Sequence, residues 1–339
     1  MPHLVDMENS LNPSSERRRQ AVNWALDELA WPQCEQASIS SDASFRNYYR
    51  LMRDSASFVV MDAPPDVERT QEFVNIAGRL RAIGLHAPEV LAHDPEQGFV
   101  LLEDLGPRPF HHVLDSGNAD SLFDDAVKAL IHMQAEVDIS GLPSYDPALL
   151  MRELNLFVDW FLARHWQVEP TDGELDGWDE VCATLLRWAL DQPQVFCHRD
   201  YMPRNLLIAE PNPGIIDFQD AVIGPICYDP VCLFRDAFLS WPVEQSDRWL
   251  EDYRQRAAAA GLPVPASAQL WQRSCDLVGA HRFLKVIGIF ARIRYRDGKP
   301  RYLRDAPRFF KYLDVSIRRN PELNELDGLL NAWRQRRVQ

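Results

Sequence analysis

Three short apolar runs between Val195 and Asp217, separated by polar turns, constrain this chain more than any other feature. Val195-Phe196-Cys197 predicts a strand that feeds the loop HRDYMPRN, His198 to Asn205. Leu206-Leu207-Ile208 predicts a strand leaving that loop, and Pro211 to Gly214 carries turn chemistry. Ile215-Ile216 is a third apolar run and delivers Asp217 at its end. Polar loops held between strands are where a scaffold displays catalytic groups.

The residue types in that loop suit phosphoryl transfer. Asp200 is a carboxylate placed to accept a proton from a substrate hydroxyl. Asn205 follows five residues on, where a tight loop brings its amide oxygen round to a metal. Asp217 supplies a second, charged metal ligand. Phosphoryl transfer needs this division, because it is mostly positioning plus neutralisation of phosphate charge by Mg²⁺. One carboxylate stays off the metal to orient the nucleophile, and another sits on it. The bland alternative is that Asp200 and Asn205 cap turns and that His198 is a satisfied core histidine. The spacing of all four residues favours the chemical reading.

On these residues the chain resembles the aminoglycoside phosphotransferase and choline kinase superfamily of small-molecule kinases. It does not resemble a protein kinase: Phe218-Gln219 follows Asp217, no Ala-Pro-Glu element follows, and Asp229-Pro230 arrives too soon for a long activation loop. The resemblance implies an α+β, bilobed, protein-kinase-like fold, with a small mixed β-sheet N-lobe and a mainly helical C-lobe. Three further blocks are similar to the bacterial anomeric kinases of N-acetylmuramate and N-acetylglucosamine that serve cell-wall (peptidoglycan) recycling. They are SDASFRNYYRL (Ser41 to Leu51), VVMDAPPD (Val59 to Asp66) and LKVIGIFARIRYRDGKPRYL (Leu284 to Leu303).

Composition limits the alternatives. A hydrophobic fraction of 46% supports a sizeable core. No apolar stretch reaches the roughly 18 residues expected of a membrane span. The first twenty residues carry acids and no apolar core, so no secretory signal is expected. Cysteines at 34, 182, 197, 227, 232 and 275 form no C-x-x-C pair, which predicts reduced thiols in a cytoplasmic protein. The net charge of −14 argues against nucleic-acid binding. Yet His281 to Tyr312 holds ten Lys or Arg against two Asp, which either steers an anionic ligand or forms a solvated, salt-bridged face.

Along the chain, residues 1–14 read as a mobile tail. Ser14 or Ser15 is expected to cap a helix with Val22, Ala25, Leu26 and Leu29 on one face. Strands are predicted at Ala37–Ser41, Asn47–Arg53, Ser57–Met61, Glu89–His93 and Gly98–Leu102. Asp66 is expected to cap a helix striped by Phe73, Ile76, Ala77, Leu80 and Ile83 and stopped at Gly84. Residues 15–105 then form the nucleotide lobe and 106–339 the helical lobe. Asp146-Pro147 predicts a helix start with the stripe Leu150, Leu154, Phe157 and Phe161. A late helix is predicted over Ala268–Arg294.

The resemblance implies ATP as co-substrate and Mg²⁺ as cofactor. It implies that main-chain groups of Glu103 and Leu105 read the adenine, and that Ser44 and Arg46 contact phosphate. The superfamily's third-strand Lys is missing: Met61 stands in its place, and Glu68 and Glu72 have no evident Lys partner. Arg46 substitutes for it, metal takes a larger share of the charge, or the protein is a pseudokinase. His198 is grouped with Asp200 as a catalytic-loop residue that bonds backbone beside Asp217. Asp229 is expected to cap the next helix. Arg235, Asp236, Arg292 and Arg294 are the acceptor-binding candidates, with Trp160 and Trp166 as possible stacking faces for a sugar. The expected protein is a monomeric ATP-dependent kinase of an N-acetylated amino sugar. The alternatives are an aminoglycoside, choline or homoserine kinase, or a regulatory nucleotide-binding pseudokinase.

Overall fold

The computed structural model describes residues 13–39 and 46–337 and divides them into two compact units. The first holds the described residues up to Arg81, together with Ala87–Gly106. Its helix α1, Pro13–Glu28, begins ahead of Ser14 and Ser15, so neither serine precedes the helix as a cap. Strands β1 (Glu35–Ile39), β2 (Asn47–Arg53) and β3 (Ala56–Asp62) run antiparallel. Helix α2 (Thr70–Ala82) follows, then β4 (Val90–Asp94) and β5 (Phe99–Glu103). The strand order is β1-β2-β3-β5-β4.

Alternation along the strands decides which side faces α1. Tyr49, Leu51, Val60, Phe99 and Leu101 form one buried cluster with Ala21, Val22 and Ala25 of α1. Truncating one large member of such a cluster to Ala costs about 2–5 kcal/mol. Met61 points to the opposite face and is also buried, at 1% exposure, which leaves no room for a solvated Lys there. Helix α2 stops as its sequence predicts, with Gly84 left-handed at φ 82°. Its start does not: the first helical residue is Thr70, so Asp66 lies in the preceding turn instead of capping it.

The second unit comprises Ala82–His86 and the chain from Pro107. It opens with α3 (Phe110–Val113), α4 (Ala119–Glu136) and α5 (Pro147–Leu156). Asp146 caps α5 by accepting the Leu149 N–H, with Pro147 at the first position. The helix then widens into a π-helix, Phe157–Trp166. Phe157 and Phe161 still stack, at 5.5 Å, so the predicted stripe survives the change of winding. Helix α6 (Asp172–Leu190) starts with a Thr171–Glu174 capping box.

Strand β6 (Gln194–Cys197) precedes β7 (Leu206–Leu207), β8 (Gly214–Ile215) and β9 (Val222–Pro225). β6 pairs with β9, and β7 with β8, both antiparallel. Helices α7 (Tyr228–Phe234), α8 (Val243–Ala259), α9 (Ala268–Asp297), α10 (Ala306–Arg319) and α11 (Asn324–Arg336) complete the unit.

Helix α9 is buried on several sides, as suits a central packing element. At Gly288 it approaches a neighbour closely: a Cβ there would run into the backbone where α5 becomes the π-helix, at Leu156 and Phe157. None of the six cysteines is in a disulfide, and five are buried. No helix of the described residues is long and apolar enough to cross a membrane.

Candidate active site

The two antiparallel pairs suspend the loop His198–Asn205 within the second unit. β6 brings the chain to His198. A 3₁₀ turn at Pro203–Asn205 hands it on to β7. β8 then ends two residues before Asp217, and Ile216 N–H donates to Asn205 O at 3.0 Å. The local pairing therefore converts a separation of twelve residues into side-chain contact. Asn205 Nδ2 donates to Asp217 Oδ2 at 3.2 Å and to Asp200 O at 2.9 Å.

His198 is fully buried beneath the loop. Its Nε2 lies 3.2 Å from Ile216 O, and its Nδ1 accepts the Asp200 N–H at 3.3 Å. Those partners require the neutral ring with its proton on Nε2. Burial pulls the ring below the usual histidine range, in the same direction. His198 ties the Asp200 backbone to the residue before Asp217, and so positions the loop without facing solvent.

Two non-glycine residues here have left-handed backbone, Arg199 at φ 74° and Asp217 at φ 63°. Such conformations persist only where the surroundings over-determine them. Asp229 supplies part of that constraint. It is fully buried, and its carboxylate accepts the His198 N–H at 2.7 Å and the Arg199 N–H at 2.9 Å. The residue preceding α7 is Cys227, so Asp229 lies inside the helix and clamps the catalytic loop instead of capping. Burial raises its carboxyl despite those donors and the nearby His198. The sequence offered no local sign of this role.

Asp217 and Asn205 fit a hard cation. Asp217 is exposed and contributes a carboxylate. With Asn205 Nδ2 turned to Asp200 O, its amide oxygen is the remaining donor atom. Among the described residues no three or more His, Cys, Asp or Glu form a metal-holding group. One carboxylate and one amide, completed by water and substrate phosphates, is how Mg²⁺ is commonly held. Gln219 Nε2, at 2.9 Å from Asp217 Oδ1, orients that carboxylate.

In the first unit, Arg46 precedes β2, and the register places Tyr48 opposite Met61. Its guanidinium is buried and donates Nε and Nη2 to Glu68 Oε2 at 3.0 and 2.8 Å. The residue just before β2 thus forms a buried cation–carboxylate pair with Glu68, in the segment between β3 and α2. Ser44 lies outside the described residues. Glu103 ends β5, and its N–H is taken by Glu89 O at 2.9 Å, so that N–H does not serve a base. Asp104, next to it, accepts Arg50 Nε and Nη2 at 2.6 and 2.9 Å and the Gly106 N–H at 3.0 Å. These bonds fix the backbone on both sides of Leu105.

The acceptor candidates divide. Arg235 is 4% exposed, and its guanidinium pairs with Asp276 at 2.8 Å and Asp247 at 3.3 Å. Asp236 is fully buried, and its Oδ1 accepts the Phe238 and Leu239 N–H groups at 2.7 Å each. Two carboxylates thus hold the Arg235 guanidinium, while Asp236 shapes the turn after α7. Trp166 is buried and stacks on Phe310 at 5.6 Å, so that ring face is spent on the core. Trp160, in the π-helix, is half-buried.

The basic segment is not one surface. His281, Arg282 and Lys285 point into the unit, whereas Arg294 and Arg296 are exposed. Arg292 is half-buried, and burial and Arg296 together pull its guanidinium below the ordinary value.

Residues 35–271 match the phosphotransferase enzyme family, which is most of the chain. The chain belongs to that family. A relative from Pseudomonas aeruginosa is 54% identical over 90% of this chain and 90% of its own, and is named N-acetylmuramate/N-acetylglucosamine kinase. Relatives of the same name from Neisseria meningitidis and Caulobacter vibrioides are 40% and 32% identical; they cover 86% and 89% of this chain and 88% and 91% of their own. Among solved structures, an ethanolamine kinase from Plasmodium vivax aligns with TM-score 0.64 at 12% identity, over 92% of this chain and 93% of that one. A choline kinase from Streptococcus pneumoniae aligns with TM-score 0.61 at 14% identity, over 88% and 99%. This phosphotransferase therefore has the kinase-like fold expected from its loop, with an antiparallel sheet in its first unit and a mainly helical second unit.

Proposed function

We propose that this phosphotransferase is an ATP-dependent kinase of N-acetylmuramate and N-acetylglucosamine that phosphorylates the anomeric hydroxyl. The observation that carries the substrate is the relative of 54% identity named for both sugars. The loop geometry supports the chemistry. Asp200 is half-buried on a loop whose backbone is held at His198, Arg199 and Asn205. It orients the C1 hydroxyl and accepts its proton as the oxygen attacks the γ-phosphorus. A C1–O–P linkage forms, the bond to the β-phosphate oxygen breaks, and ADP leaves. An anomeric hydroxyl is more acidic than an ordinary sugar alcohol, which suits a carboxylate base.

Asn205 and Asp217 would hold Mg²⁺, whose chemistry is to neutralise phosphate charge. Arg46, oriented by Glu68, grips nucleotide phosphates in place of the absent strand Lys. The Glu103 carbonyl and Leu105 main chain read adenine. Arg292 and Arg294 are retained as partners for the lactyl carboxylate of N-acetylmuramate. The buried Arg46–Glu68 pair, with Asp200, Asn205 and Asp217 all present, counts against a pseudokinase. Such an enzyme would act as a cytoplasmic monomer on sugars released from the cell wall. Single-turnover transfer from ATP to a panel of the two sugars, choline, homoserine and an aminoglycoside tests the reading. Transfer to the sugars supports it, and transfer only to an amine would move the assignment to a different acceptor class.

A further inference from the structure

Behind the catalytic loop, two cations share one buried carboxylate. Glu153, on α5, is 5% exposed. Its Oε1 accepts Arg199 Nη2 at 2.5 Å and lies 2.9 Å from Lys285 Nζ of α9. Its Oε2 accepts the Tyr145 hydroxyl. Lys285 also donates to the Tyr228 hydroxyl at 3.1 Å. Burial alone would raise the Glu153 carboxyl, but Lys285 and Arg199 outweigh it and hold it at about 2.

Arg199 is the residue immediately before Asp200, and its backbone and both terminal guanidinium nitrogens are engaged. Its N–H is held by Asp229, and its carbonyl lies 3.3 Å from the Cys232 thiol, which donates to it. Its Nη1 donates to Asp220 O at 3.1 Å, three residues beyond Asp217. Its guanidinium lies over the Tyr145 ring at 5.3 Å. One side chain thus joins the Asp200 loop to the Asp217 loop, and Glu153 fixes that side chain against two helices.

We propose that Glu153 and Lys285 are positioning residues: through Arg199 they hold the left-handed backbone that sets Asp200 relative to Asp217. Kinases that order a loop by phosphorylation do so by pairing a new anion with arginine. Here an internal carboxylate fills that part permanently, so the loop is ordered without modification. Lys285 leaves the cluster with two cations for one carboxylate, which keeps Glu153 ionised throughout the physiological range.

The proposal rests on Asp200 as the group that orients the acceptor hydroxyl, so Asp200→Asn is measured in parallel. The single change Glu153→Gln would strand two buried cations, whereas Glu153→Gln/Lys285→Met retains one cation and the wild-type net charge. In that double variant we expect kcat to fall about tenfold to a hundredfold, the scale of a loop displaced by about 1 Å. The KM for ATP should stay within about twofold, since no nucleotide contact is removed. A second variant, Arg199→Lys, keeps the charge but loses the fork that spans Glu153 and Asp220; the same split is expected, and it decides the matter should the double variant fail to fold. Wild-type kcat in folded Arg199→Lys, or in the folded double variant, would reduce the cluster to a structural role. Wild-type kcat in Asp200→Asn would instead remove the reading on which the proposal stands.

Discussion

The Asn205 amide nitrogen lies 2.9 Å from the carbonyl oxygen of Asp200, so the proposed metal ligand also braces the backbone of the proposed base. Asn205→Ala should therefore show two defects, a higher Mg²⁺ requirement and a lower kcat at saturating Mg²⁺. Asp217→Ala removes a charged ligand and should raise the Mg²⁺ requirement further. A Mg²⁺ titration of both variants checks the order. A stronger Mg²⁺ defect in Asn205→Ala would reverse the assignment.

Asp200→Asn should retain ATP binding while kcat falls by about 10²–10⁴, the span for a lost general base. Nucleotide affinity by calorimetry, set beside steady-state kcat, separates the two. Near-wild-type turnover would take Asp200 out of the role.

Arg46→Ala should raise the KM for ATP far more than Arg19→Ala, where the arginine is exposed and pairs with Glu16 of its own helix. Arg17 is no neutral control, because it holds the buried Asp62. Met61→Lys should not improve ATP use. It would place a second cation at a position only 1% exposed, so a lower Tm is expected instead. Equal KM effects at Arg46 and Arg19 would leave the phosphate contact unassigned.

The charge state of Glu153 makes a pH prediction. Its carboxyl is depressed to about 2 in the folded protein, against an ordinary value of 4.5. A depressed carboxyl contributes stability above the unfolded value, and that stability is lost as pH falls from 4.5 toward 2. Lys285, Arg199, His281 and Tyr145 are the charged and titratable groups that face it. Wild type should therefore lose more Tm between pH 7 and pH 3 than Glu153→Gln/Lys285→Met. The difference between the two proteins isolates this group from other buried acids such as Asp229. An equal loss in both would show that Glu153 is not held ionised.

Local pattern carried much of the fold. The β2 span, the place of β3 to within a residue at each end, the stop at Gly84, the Asp146-Pro147 start and the first residue of α9 all follow from periodicity and capping chemistry. The catalytic loop was legible because its groups sit within one short strand–loop–strand segment. The residues that hold the loop were not. Asp229 reaches His198 only because β6 pairs with β9, and Glu153 and Lys285 meet Arg199 from distant helices. The Arg46–Glu68 pair depends on the β2–β3 register, which no single-strand pattern reveals. The π-helix escaped notice because residues four apart, such as Phe157 and Phe161, can share a face in either winding. Arg235 and Asp236 stood out in the sequence as charged residues beside an apolar helix, but the buried groups that hold them were not legible there.

The account's central claim is that phosphate is transferred from ATP to the anomeric oxygen of an N-acetylated amino sugar. The most direct measurement is ³¹P–¹H correlation NMR on the product formed from N-acetylmuramate and Mg²⁺-ATP. The account predicts one phosphomonoester signal coupled to the anomeric proton, absent with Asp200→Asn. A phosphate coupled to the C6 protons, or no sugar phosphate at all from either sugar, would contradict it.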